Sequence, residues 1–239
     1  MATFLEAEWR HLAMAHYRVE QSLLVRFVPR GTELDEWSGR AYVTLVAFRF
    51  LRTRVLGVGV PGHRNFDEIN LRLYVRREVD GEIRRGVVFI KDIVGVPGVA
   101  LAARLTYNEN YEVYLTRSKV PRESGAVPDR LRYEWRSRAG WNRLAMVAGD
   151  GPFVATPGSE EHFLTDRPWG YTRQRDGGTI EYRVDHPPWR LWRGAEVETQ
   201  VHATELYGAE FEPVLRAAPD LTILAEGSPV AISSPTRIA

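Results

Sequence analysis

The feature that most constrains this chain is an alternation of apolar and polar side chains with a period of two. Leu131, Tyr133 and Trp135 fall on one side of a stretch whose other side is Arg130, Arg132, Glu134 and Arg136. Ile180, Tyr182 and Val184 repeat the pattern against Glu181, Arg183 and Asp185. Successive side chains of an extended strand point to opposite faces, so both stretches read as half-buried strands. Further strand-like stretches lie at about 40–50, 68–78, 84–92, 111–118, 141–148, 195–206 and 229–238, with turn clusters between them such as Val-Pro-Gly-His-Arg-Asn at 60–65. This regular spacing predicts a mainly β fold, an antiparallel barrel or sandwich. Helix is expected only at 20–27, 98–107 and 213–217, and 148–168 reads as a long loop.

With 239 residues and 44% hydrophobic content the chain suffices for one large core, and no repeat or linker divides it, so a single domain over 1–239 is expected. The net charge of +1, from 32 basic and 31 acidic residues spread along the chain, supplies no single-sign field for nucleic acid or anionic membrane. Neither is expected as a partner. Glu6, Glu8 and Arg10 interrupt the apolar stretch a signal peptide needs, and no run approaches a membrane span. The expectation is a soluble, cytoplasmic protein. Cysteine is absent, which removes disulfides, thiolate nucleophiles and cysteine metal sites. Only Lys91 and Lys119 are lysines, so amine chemistry has those two side chains and the N-terminus to draw on.

Several segments carry a resemblance. Trp9 and His16-Tyr17 are followed by Val28-Pro29 and by Leu34-Asp35-Glu36-Trp37-Ser38-Gly39-Arg40-Ala41-Tyr42-Val43. Phe66-Asp67-Glu68-Ile69-Asn70-Leu71-Arg72-Leu73-Tyr74-Val75 has the form Phe-x-Glu-x-Asn-x-Arg-x-Tyr-Val, and Gly86-Val87-Val88-Phe89-Ile90, Ala103-Arg104 with Tyr107, Phe163-Leu164-Thr165-Asp166-Arg167, Tyr171-Thr172 and His186-Pro187-Pro188-Trp189 come after it in order. From Trp9 to Trp192 the chain resembles the YqjF-like family of uncharacterised conserved proteins, domain of unknown function 2071, within the acetoacetate decarboxylase-like superfamily. The resemblance implies a cone-like, mostly antiparallel β-barrel with an internal pocket and a few short helices. It also makes a homo-oligomer one of the expectations.

The decarboxylase chemistry does not transfer directly. That enzyme's Tyr-Gly-Tyr-Pro-Lys-Lys segment, which supplies its imine-forming lysine, is similar to Tyr107-Asn108-Glu109-Asn110-Tyr111-Glu112 here, and neither Tyr111 nor Glu112 forms an imine. Lys91 is the remaining candidate, because alternation places it on the face of Val87 and Phe89. A desolvated amine there would attack a carbonyl, whereas a lysine closing a strand is commonly a solvated end. Glu68 resembles the glutamate that lines the decarboxylase pocket. Period two puts Glu68, Asn70, Arg72 and Tyr74 on one face and Ile69, Leu71, Leu73 and Val75 on the other. If the apolar face packs outward, the polar row cradles a small polar ligand; the alternative is a polar face in water. Arg104 either clamps a ligand carboxylate or forms a structural ion pair.

The candidate site is therefore Glu68 and Lys91 for catalysis, with Asn70, Arg72, Tyr74, Arg104, Tyr107 and Tyr111 for ligand binding. His16 and His186 read as structural, the six histidines show no metal-ligand spacing, and neither a metal nor a cofactor is expected. The leading reading is a pocket that binds a small polar or carboxylated molecule without Schiff-base decarboxylation. Its rivals are an enzyme acting on a small keto acid through Lys91 or Glu68, and an oligomeric or partner-binding protein.

Overall fold

The two faces of the strand Phe66–Val79 are both occupied, and that fact organises the molecule. The structure, a computed structural model, describes residues 2–121 and 129–239. Its strands are β1 (Thr3–Val19), β2 (Glu33–Leu34), β3 (Ala41–Val55), β4 (Phe66–Val79), β5 (Glu82–Val94), β6 (Tyr111–Val113), β7 (Leu115–Lys119), β8 (Arg130–Arg136), β9 (Trp141–Ala148), β10 (Trp169–Arg173), β11 (Thr179–Asp185), β12 (Leu191–Gln200), β13 (Leu221–Ser233) and β14 (Thr236–Arg237). Hydrogen bonding runs in the order β14-β11-β10-β5-β4-β3-β1-β13-β12-β9-β8-β7, and a further β11–β13 pairing joins Val184 to Ile232 and Asp185 to Ala231. That pairing closes a circuit of β11, β10, β5, β4, β3, β1 and β13, from which β12, β9, β8 and β7 leave as an outer sheet. Within the circuit the β5–β10 pairing is parallel and the others are antiparallel.

Ile69, Leu71, Leu73 and Val75 of β4 point outward and pack with Ala13, Leu45, Leu131, Trp135, Leu144 and Met146 in the main core, between the circuit and the outer sheet. Burial of this face, at about 1.5–3 kcal/mol for each large apolar side chain, holds the two layers together. The opposite face carries Glu68, Asn70, Arg72 and Tyr74, all buried. The row therefore does not lie in water; it faces the inside of the circuit.

Three expectations about local structure need correction. The stretch 195–206 is strand only to Gln200, after which Ala203–Leu206 is helical with Ala203 and Leu206 buried. The long loop 148–168 contains the helix Glu160–Thr165, whose Ser159 side chain accepts a hydrogen bond from the His162 amide as an N-cap. The longest strand, β1, falls where no strand was expected. The other two expected helices lie at Pro97–Thr106 and Glu212–Arg216, and 20–27 is one short α turn continuing as a 3₁₀ turn.

Candidate functional site

A cavity of about 380 Å³ occupies the interior of the circuit, and every strand of the circuit contributes to its wall. One end is aromatic and aliphatic, built from Phe4, Trp9, Phe50, Phe66 and Trp189, and it opens past Val58 and Val60 of the β3–β4 connection. The other end is polar. There β4 brings Glu68 and Arg72 to the wall, while Glu109 and Tyr111 come from the segment that follows the helix Pro97–Thr106.

That segment is held by several backbone contacts. Tyr107 ends the helix, and Asn108 adopts φ 57°, a left-handed conformation that asparagine tolerates better than most residues. Arg104 Nε donates to the Tyr111 carbonyl at 2.8 Å, Asn110 Nδ2 donates to the Ile90 carbonyl at 2.9 Å, and the Asp92 amide donates to the Asn110 carbonyl at 3.0 Å. Held this way, Glu109 and Tyr111 reach the cavity. The Tyr111 hydroxyl donates to Glu68 Oε2 at 2.8 Å, Asn70 Nδ2 lies 3.4 Å from Glu68 Oε1, and the Tyr182 hydroxyl donates to Glu109 Oε1.

Tyr182 lies over Gly170, where a Cβ would overlap its ring. Gly170→Ala is expected to push Tyr182 away from Glu109 at a cost of about 1–3 kcal/mol, the usual penalty for overfilling a packed site. Urea titration checks it; an unchanged midpoint would show that Tyr182 yields freely.

Desolvation is the main electrostatic influence at this end. It pushes the Glu68 carboxyl up to about 8, with the Glu109 charge adding to the effect and the Tyr111 and Asn70 hydrogen bonds opposing it. Glu109 is pushed up to about 7, again by burial, against hydrogen bonds from Tyr182 and Thr172. Asp92, opposite Asn70 in the β4–β5 register and 0% exposed, is held well above the usual carboxylate range by burial and by the charges of Glu109 and Glu68. Carboxyls kept protonated near neutral pH donate hydrogen bonds and serve as acids, and on losing the proton become bases.

Arg72 is different from its neighbours. It is 8% exposed, its Nη2 lies 3.3 Å from the Leu164 carbonyl and 4.0 Å from the Met14 sulfur, and its Nε has no partner. Among the described residues no carboxylate is within ion-pair distance of it. Arg167, which also lines the cavity, has its charge matched by Asp35.

The expected site residues separate into two groups. Glu68, Arg72, Tyr107 and Tyr111 line the cavity, with the Tyr107 hydroxyl bonded to the Ser233 carbonyl at 3.0 Å, and Asn70 stands behind Glu68. Tyr74 is buried against Thr44 at 2.7 Å and is not in the wall, and Arg104 braces the Tyr111 backbone. Lys91 needs correction. Simple alternation fails because a bulge shifts the β4–β5 register: Arg72 faces Phe89, but Leu71 faces Lys91. One extra residue reverses the faces beyond it. Lys91 thus leaves the side of Phe89, and its Nζ sits 2.8 Å from Glu112 Oε1. No lysine lines the cavity among the described residues; the N-terminal amine lies outside them.

Sequence reasoning missed Glu109, Asp92, Tyr182 and Arg167. For Glu109 the usable signal was Asn108, a residue suited to the left-handed turn; for Asp92 there was none, because the bulge has no marker. His186, read as part of a structural corner, stacks on Trp189 with centroids 4.3 Å apart and lines the cavity at the same time.

This ring of mostly antiparallel strands, with its outer sheet and short helices, is similar in fold to solved structures of acetoacetate decarboxylase and proteins like it. Acetoacetate decarboxylase from Legionella pneumophila superposes over 100% of this chain and 88% of its own with a TM-score of 0.68 at 14% identity. The enduracididine biosynthesis enzyme MppR, solved in complex with pyruvate, gives 0.68 at 14% identity over 100% of this chain and 91% of that one. An acetoacetate decarboxylase-like enzyme from Sphingomonas wittichii RW1 gives 0.66 at 14% identity, covering 100% and 94%. At this identity the likeness concerns the fold. Residues 6–229 match the model of the DUF2071 family, described as uncharacterized conserved protein, and the chain belongs to that family. It is 29% identical over 222 residues to the uncharacterized protein YqjF of Bacillus subtilis (strain 168), which covers 90% of this chain and 88% of the relative.

Proposed function

We propose that the chain binds a small carboxylated molecule non-covalently in this cavity, with Arg72 taking the carboxylate and the apolar walls taking the carbon skeleton. The observation that carries the reading is a buried guanidinium on the cavity wall, with Nε unpartnered and, among the described residues, no carboxylate within ion-pair distance. A desolvated cation of this kind is costly unless something pairs with it, and the planar fork of arginine suits a carboxylate. MppR, of the same fold, is solved with pyruvate, a ligand of the same chemical class. Imine formation has no support from the cavity wall, where Tyr111 stands in the segment similar to the decarboxylase lysines.

Titration calorimetry with hexanoate is the test. Arg72→Gln is expected to weaken binding by about 10–100-fold, the loss of a charged hydrogen-bonded pair. Equal affinity in the two proteins, or no binding to the folded wild type, overturns the reading.

A second reading, proton transfer to the bound acid, is favoured by Glu68 and Glu109, two carboxyls on the cavity wall whose proton affinities lie near neutrality. Exchange of the α-hydrogens of a bound keto acid for deuterium, followed by NMR, tests it. Exchange lost in Glu68→Gln is the expected result, and exchange no faster than in buffer contradicts it.

A further inference from the structure

The polar end of the cavity has too many acceptors for its donors. Glu68, Asp92 and Glu109 act on one another electrostatically from inside the protein. Both carboxyl oxygens of Asp92 lack a partner, and so does the side-chain oxygen of Asn70, a buried amide whose nitrogen is turned toward Glu68. The donors present are the hydroxyls of Tyr111 and Tyr182, the Asn70 amide nitrogen and, at 3.5 Å, Thr172. Among the described residues no lysine, arginine or histidine side chain forms a hydrogen bond or ion pair with Glu68, Asp92 or Glu109. Such a cluster either stays protonated or waits for a cation.

Resting on the proposed binding of a carboxylate by Arg72, we infer that the cavity's ligand also carries a protonated amine, seated among Glu68, Glu109 and Asn70 with Asp92 behind them. An ammonium brings three donors and no acceptor, which is what this end lacks. Among the described residues no group of histidine, aspartate and glutamate is arranged to hold a metal ion, and an organic ammonium supplies the complementary charge through hydrogen bonds instead. Glu68 and Arg72 are four residues apart on one strand, about 13 Å between Cα atoms at roughly 3.3 Å per residue. Side chains on one face of a strand project side by side, so the two head groups stay on the order of 10 Å apart, a gap that suits a carboxylate and an amine separated by several methylenes. The implied class is an ω-amino carboxylic acid rather than an α-amino acid, whose charges lie too close together.

The titratable groups facing the three carboxyls are Tyr111 on β6, Tyr107 after the helix, Tyr182 on β11 and Tyr207 near the Ala203–Leu206 helix. All four phenols are held in the neutral form by burial. An ammonium seated between these carboxyls favours their ionised forms, so its binding draws protons off those still protonated and the protons appear in solution.

The experiment compares 6-aminohexanoate with hexanoate by calorimetry at pH 7, in buffers of different ionisation enthalpy. The amino acid is expected to bind about 10-fold or more tightly, to release protons where hexanoate releases none, and to lose its advantage over hexanoate in Glu109→Gln. Should hexanoate bind as well as the amino acid, the cationic subsite is overturned and the Arg72 reading survives. If neither binds, both fall. An advantage kept in folded Glu109→Gln, or binding without proton release in the wild type, also overturns the inference.

Discussion

Asp35→Ala is expected to destabilise the chain by about 3–5 kcal/mol, the cost of leaving a buried charge without its partner. Asp35 and Arg167 are 1% and 2% exposed, and Arg167 Nη1 bonds to Asp35 Oδ2. The Arg167 guanidinium also lies over the Phe163 ring, 4.0 Å from its centroid, and over Tyr74 at 5.0 Å, while Nε donates to the Phe163 carbonyl. Burial already pulls the Arg167 proton affinity down, and the Asp35 charge is the main influence opposing it. Removing the carboxylate leaves a cation enclosed by rings and without a counter-charge. For a chain of this size the loss corresponds to a fall in Tm of about 6–20 °C. Arg85 is the control. It donates to both Asp35 oxygens, at 2.7 and 2.6 Å, but is 45% exposed, so Arg85→Ala is expected to cost under about 1 kcal/mol. Urea unfolding measures both variants. A loss below 1 kcal/mol in Asp35→Ala would mean that Arg167 is not confined as described.

Glu68→Gln is expected to stabilise the protein at pH 8 by several kcal/mol more than it does at pH 5. The sign follows from where the proton is held. Below about pH 4.5 the carboxyl is protonated in the folded and unfolded chains alike, and folding carries no titration penalty. As pH rises, the unfolded chain releases the proton first, while the folded chain keeps it up to about pH 8. Stability from this group is therefore lost progressively between about pH 4.5 and 8, at up to about 1.4 kcal/mol per pH unit, and is constant above. Glutamine still accepts the Tyr111 hydroxyl hydrogen and has no charge to desolvate. It also removes the repulsion that Glu68 exerts on Asp92, which acts in the same direction. Unfolding midpoints at pH 5, 6.5 and 8 provide the check. A gain independent of pH, or a loss at pH 8, would show that Glu68 ionises in the folded protein as it does in water.

The polar row of β4 was legible because alternation carries the face of each residue, and the run Ile69, Leu71, Leu73, Val75 left little doubt about which side packs. What the alternation left open was whether the other side meets water, and the closing β11–β13 pairing decides that. β1 was not legible: Ala7, Glu8, Leu12, Ala13, Met14 and Ala15 are helix formers, and a register shift between Arg10 and Ala13, with His11 at φ 57°, breaks its period. Its strand state comes from two long antiparallel partners, β3 and β13, which are tertiary facts. The same reason explains Lys91: period two holds only until a bulge intervenes, and the shift beside Phe89 reverses every face after it. Glu109 was hidden differently. It reaches the cavity from an irregular segment, where no periodicity exists to read.

The central claim is that Arg72 receives a ligand carboxylate inside the circuit of strands, and a crystal structure of the protein with hexanoate tests it most directly. The account predicts both carboxylate oxygens within hydrogen-bond distance of the Arg72 guanidinium, with the alkyl chain inside the cavity. Hexanoate elsewhere, with Arg72 unpaired at saturating ligand, would contradict it.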